Sequence, residues 1–152
     1  MGFLEVLDPS RVIIDRAVSS KKGVIEQLSQ LFAEDVEGVS ASSIFDALIA
    51  REKLGSTGLG HGVAIPHGRV RGADRALAAL LITDKPVDFD AIDNEPVDIF
   101  VGLLVPEDAN ETHLELLSEL AEMLGNERLT RRLRSAASAN RAIDLISEFG
   151  NR

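Results

Sequence analysis

His67 stands in the run Ala64-Ile65-Pro66-His67-Gly68. A short apolar approach ends at proline, then imidazole, then glycine. Proline sets the backbone φ on entry, and glycine lets the chain turn at once or lets a partner come close. The context predicts an imidazole at the end of a sheet strand, where α/β proteins place their ligands. His113 follows Thr112, and Thr112-x-x-Glu115 fits a capping box, so His113 is expected as the first residue of a helix. A helix N-terminus favours anions and disfavours an imidazolium. Two neutral imidazoles beside it suit a phosphoryl site. One attacks phosphorus and the other hydrogen-bonds the transferred group.

The residues around His67 point the same way. Arg51–Arg75 holds six of the twelve glycines and two of the three histidines. Five cations (Arg51, Lys53, Arg69, Arg71, Arg75) face two carboxylates (Glu52, Asp74) there, a local sum of +3 in a chain of net charge −9. Glycines let backbone N–H groups approach an oxyanion, arginine offers a fork for phosphate, and Ser56 and Thr57 add donors. The plain alternative is a long loop shaped by glycine and kept hydrated by its charges. No Gly-Lys-Ser/Thr follows, so a Walker loop is not indicated, and Gly58-Leu59-Gly60 lacks the third glycine of a dinucleotide fingerprint. A metal site on His61, His67 and His113 is a weaker alternative. Those histidines have no tight helical spacing, and arginines repel a divalent cation. No metal and no cofactor is therefore expected.

Composition narrows the class. The 152 residues predict one domain. With 45% apolar residues a core forms without staples. The absence of cysteine excludes a disulfide scaffold, a thiolate metal site and a thiol nucleophile. The acidic balance argues against a nucleic-acid partner, and the lack of Trp and Tyr against an aromatic stacking platform. No apolar run approaches the ~20 residues of a membrane helix and no signal peptide is evident. The expectation is a cytoplasmic domain without membrane insertion.

The elements that must position these residues follow from periodicity. Arg11–Asp15 is a β-branched run and predicts a strand. Ser20 caps a helix whose apolar face is Val24, Ile25, Leu28, Leu31 and Phe32; Ser40 caps a second with Ile44, Phe45, Leu48 and Ile49, ending near Lys53 and Gly55. Val63–Pro66 reads as a short strand or its exit. Ala76–Thr83 and Val97–Val105 are apolar runs suited to strands covered on both faces. The turn-rich link between them favours an antiparallel pair. A helix lined by Leu114, Leu117, Leu120, Ala121 and Leu124 ends at Gly125, and Leu129–Ser135 and Ala139–Phe149 read as two more. The sum is a layered α/β domain with a mixed parallel and antiparallel sheet.

Arg51-Glu52-Lys53-Leu54-Gly55-Ser56-Thr57-Gly58 followed by Gly62-Val63-Ala64-Ile65-Pro66-His67-Gly68 resembles the type-2 enzyme IIA domain of the bacterial phosphotransferase system, the mannitol/fructose class, and most closely its nitrogen-regulatory branch. Phe89-Asp90-Ala91-Ile92-Asp93-Asn94, Pro96-Val97-Asp98, Leu103-Leu104-Val105-Pro106 and Thr112-His113-Leu114 continue the likeness, which runs from about Leu7 to Phe149. Residues 1–152 then read as a single such domain. The resemblance implies a single-domain α/β sandwich with a mixed sheet flanked by helices. It implies that His67 is phosphorylated, that His113 hydrogen-bonds the phosphoryl group and that Arg51 stabilises its charge. The implied donor is a small histidine phosphocarrier of the HPr type, NPr in the nitrogen branch, fed from phosphoenolpyruvate. The implied recipient is a downstream regulatory or transport protein. A IIA role in fructose/mannitol-type sugar uptake and a regulatory binding module switched by phosphorylation are the alternatives. His61 departs from the family pattern, which often carries Asn there.

Overall fold

The computed structural model describes residues 2–109 and 111–150, without the side chains of residues 111 and 112. The chain runs α1 (Phe3–Val6), β1 (Leu7–Arg16), α2 (Lys21–Ala33), α3 (Ala41–Glu52), β2 (Gly58–Gly60), β3 (Val63–Ala64), β4 (His67–Val70), β5 (Leu77–Val87), β6 (Val97–Pro106), α4 (Glu111–Leu124), α5 (Glu127–Arg134) and α6 (Ala139–Gly150). The sheet order is β1-β5-β6-β3-β2, and β4 also pairs with β6. β5 and β6 are antiparallel neighbours, whereas β1 on β5 and β3 and β4 on β6 are parallel. The mixed sheet and the antiparallel pair are as expected.

Both long central strands are buried on both faces, which explains their unbroken apolar runs. Leu77, Ala79 and Leu81 of β5 pack with Phe100 and Leu104 of β6 under α2 and α3. Ala78, Leu80 and Ile82 pack with Ile99, Val101 and Leu103 under α1, α4, α5 and α6. In α2, Val24, Ile25, Leu28 and Phe32 are all fully buried. Each such side chain contributes roughly 1.5–3 kcal/mol, more than intrinsic helix propensity supplies. The Ser20 and Ser40 hydroxyls accept from the backbone N–H groups of Gly23 and Ser43, as their positions predict. Gly102 is glycine because a Cβ there would meet Leu28 and Phe32 side chains at 3.2 Å.

Several elements differ from expectation, among them β2, for which the sequence predicts no strand, and β5, which runs on to Val87. β1 extends beyond Arg11–Asp15 at both ends and includes Pro9. It lies at the sheet edge, where a residue without an N–H leaves no ladder bond missing. The short helix α1 escapes periodicity analysis because it has only four residues; it buries Phe3 and Val6 in the α4–α6 layer. The chain also does not turn after His67. It continues as β4, in register with Leu103 to Pro106 of β6. Ile65 and Pro66 interrupt the strand without redirecting it, and Pro66 keeps its place by accepting from the Leu103 N–H at 2.9 Å.

Candidate active site

His67 opens β4 and is half-buried. Its neighbour Gly68 lies under α3: a Cβ there would sit 3.1 Å from the backbone carbon and oxygen of Ala47. The glycine therefore serves the close approach of helix to strand. That approach brings Arg51, in the last turn of α3, to the same cleft as His67. On the other side the first turn of α4 contributes His113. The helix starts at Glu111, so His113 is its third residue and Thr112 is inside it rather than ahead of it. The side chain of Thr112, and with it the expected capping box, lies outside the described residues.

The cleft holds about 350 Å³ and is lined by Arg51, His67, Arg69 and His113 together with apolar residues such as Leu103, Val105 and Leu117. Leu54 and Leu114 stand on its lining although they are 85% and 56% exposed, an apolar rim open to solvent. His67, His113 and Arg51 are thus brought together, three elements supplying one residue each.

The imidazole of His67 has a defined orientation. Its Nδ1 lies 2.8 Å from the carbonyl oxygen of Ile65. A carbonyl only accepts, so Nδ1 carries the proton and Nε2 holds the lone pair. Burial, foremost, pushes the His67 pKa below the ordinary 6.5; the Ile65 carbonyl opposes this, the Arg51 charge lowers it further and Glu52 raises it. The ring is therefore neutral and nucleophilic at neutral pH.

Sequence reasoning missed the support beneath this ring. The Glu52 carboxylate is buried and lies 2.9 Å from the Lys21 ammonium. It also accepts from the Thr57 hydroxyl and, at 3.3 Å, from the Thr57 N–H. The Thr57 carbonyl in turn accepts from the Ile65 N–H at 3.1 Å, and Ile65 holds His67. The only sequence signal was a charged residue at an inward helical position, three residues past the apolar Ile49.

The hydroxyls expected to bind an anion are otherwise engaged. Thr57 serves Glu52, and the Ser56 hydroxyl donates to the Phe89 carbonyl at 2.9 Å. Of the six glycines in Arg51–Arg75 only Gly68 lines the cleft. Gly55, Gly60, Gly62 and Gly72 have positive φ and shape turns. The cationic collar is also smaller than its sequence run. Arg71 pairs with Glu107 at 3.2 Å, and Arg75 lies in a different cleft with Glu5, Asp8 and Arg11. Lys53 does not line the cleft either, so Arg51 and Arg69 remain, donating to the Gly55 carbonyl at 2.8 Å and the Ala109 carbonyl at 3.2 Å.

His61 does not join the cleft. It sits in the turn between β2 and β3 with φ 56°, its side chain exposed and 3.4 Å from Glu127. Its N–H donates to Asp93 and its carbonyl accepts from Arg134. The three histidines therefore do not converge, and the described residues include no group of three or more His, Asp or Glu placed to hold a metal. Nor does any described helix have the length and apolarity to cross a membrane.

The "Nitrogen regulatory protein" of Pseudomonas aeruginosa is 46% identical over 147 residues, covering 97% of this chain and 96% of the relative. The crystal structure of nitrogen regulatory protein IIA-Ntr from Neisseria meningitidis superposes with a TM-score of 0.89 at 42% identity, over 93% of this chain and 97% of that one. The mannitol IIA of Escherichia coli superposes with a TM-score of 0.77 over 91% and 96% of the two chains, at 20% identity, a likeness of fold. Residues 5–149 match the family described as "Phosphoenolpyruvate-dependent sugar phosphotransferase system, EIIA 2", and the chain belongs to that family.

Proposed function

We propose that the protein is a phosphocarrier that accepts a phosphoryl group on Nε2 of His67 from a phosphohistidine on a small HPr- or NPr-type carrier, and that it acts in nitrogen-branch regulation. The observation that carries this reading is the Nδ1–H of His67 held by Ile65, with the opposite nitrogen unprotonated in a cleft shared by Arg51 and His113. In the transfer, the His67 Nε2–P bond forms as the donor's N–P bond breaks, and the bonding pair returns to the donor imidazole. No proton need move. The phosphorylated ring of His67 then carries positive charge, which the Ile65 carbonyl stabilises at Nδ1–H. Arg51 and His113 supply charge and a donor to the phosphoryl oxygens, the positioning and electrostatic help that this chemistry asks of a protein. The exposed Leu54 and Leu114 give a carrier an apolar ledge beside the reacting ring.

Nitrogen regulation is favoured over sugar uptake because the 46% and 42% identities are to nitrogen regulatory proteins, whereas the mannitol IIA shares 20%. Residues 1–152 form one domain of this family in this reading, and the protein works in the cytoplasm, handing its signal to a downstream regulatory protein. The test is intact mass after incubation with phosphoenolpyruvate, enzyme I and the small carrier. One added phosphoryl group is expected, absent in His67→Ala. A gain that persists in the variant would move the acceptor elsewhere.

A further inference from the structure

A second cleft, of about 430 Å³, lies between α5 and α6 and shares no lining residue with the His67 cleft. Four arginines wall it: Arg128, Arg131 and Arg132 from α5 and Arg141 from α6. Ala136 and Leu145 complete an apolar side. Four guanidinium groups around one concave surface repel one another, although the chain as a whole carries a net charge of −9. One carboxylate answers it. Glu148 lies 3.5 Å from Arg132 and 3.7 Å from Arg141. The side chains of Arg128 and Arg131 form no ion pair or hydrogen bond among the described residues.

Helix stability accounts for only part of this. Arg131 and Arg132 stand in the last turn of α5, where cations complement the helix dipole. Arg128 is the second residue of α5 and Arg141 the third of α6, both at the positive end of a helix, where the same dipole disfavours a cation. Two cations held at unfavourable positions around one concave surface are what a bound anion would offset. The planar forks match phosphate oxygens in pairs, and the volume is that of a small-ligand pocket.

We propose that this cleft binds a small molecule carrying two or more phosphate-type charges. The two clefts share no lining residue, so both can be occupied together.

The test uses the full chain, 15N-labelled, titrated with magnesium-free inorganic pyrophosphate at constant ionic strength. Expected are saturable shifts of the Ser135 and Ala136 amides and of the Arg128 and Arg131 Nε–H signals. Affinity should fall about tenfold or more in the Arg128→Gln/Arg131→Gln double variant, the loss of charge-assisted hydrogen bonds. It should also weaken in Arg128→Lys, which keeps charge and loses the fork. Lys22→Gln, an exposed cation on α2, should leave it unchanged. Citrate should bind more weakly than pyrophosphate. Shifts that never saturate, that survive both arginine substitutions, or that weaken equally in Lys22→Gln would overturn the site. Tighter binding of citrate would overturn the phosphate assignment.

Discussion

The ring Nδ1 of His67 donates to the carbonyl of Ile65, two residues earlier in the chain, at 2.8 Å. This short-range bond depends on long-range support. The Ile65 backbone is tied to Thr57, Thr57 to the buried Glu52, and Glu52 to Lys21. The orientation of the candidate nucleophile is thus supported by an ion pair three hydrogen-bonded steps away.

Glu52→Ala should test that chain. It removes the acceptor of the Thr57 hydroxyl and N–H and leaves the Lys21 ammonium only its longer contacts, Asp90 at 3.6 Å and the Phe89 carbonyl at 3.4 Å; breaking a pair buried on one side costs about 3 kcal/mol. For a domain of this size the unfolding midpoint should fall by about 6–12 °C. Phosphoryl uptake by the folded fraction should slow as well. Calorimetry and a phosphorylation time course read the two effects, and an unchanged midpoint would remove Glu52 from the role.

The acidic limb of activity should lie below that of an ordinary histidine. Burial depresses the His67 pKa, so the ring stays unprotonated as pH falls past about 6.5, the ordinary imidazole value. The sign for stability follows. The folded state favours the neutral ring, so His67 contributes fully above about 6.5, and that contribution disappears as pH drops through the lower folded value. An NMR titration of the His67 ring should give a midpoint below that of the ring in the unfolded chain. A midpoint at or above the unfolded value would contradict the burial argument.

Gly68→Ala should damage both packing and chemistry. Its methyl group would meet the Ala47 backbone at 3.1 Å, and backbone cannot rotate away as a side chain can. Overpacking of this kind costs about 1–3 kcal/mol. Moving α3 off β4 also carries Arg51 away from His67. Thermal unfolding and phosphoryl-transfer rate should fall together; a wild-type rate would show that the α3–β4 distance does not set the site.

Arg51→Ala and His113→Ala should each slow transfer by about a hundredfold or more, the scale of losing one donor to developing charge, with little change in melting temperature. Arg51→Lys should recover little, since a point charge does not reproduce the fork. Rapid-quench measurement of phosphoryl transfer from the carrier decides this, and unchanged rates would exclude these residues from the reaction.

Much of the molecule was legible because its signals are local. Ser20 and Ser40 cap helices through N–H groups three residues away. The apolar runs of β5 and β6 announce strands buried on both sides, and Pro66-His67-Gly68 marks the candidate site. What the order of residues did not disclose was which polar groups are already spent. Ser56 is occupied by Phe89, 33 positions on, and Arg71 by Glu107, 36 positions on. His61, six residues from His67, is carried to a turn facing Glu127, while His113 and Arg51 arrive from distant elements to share its cleft. Composition and spacing therefore determined the fold class and named the candidate histidine's neighbourhood. Only tertiary packing decided which imidazoles, hydroxyls and guanidiniums meet, because hydrogen bonds and ion pairs across tens of residues depend on how helices seat on the sheet.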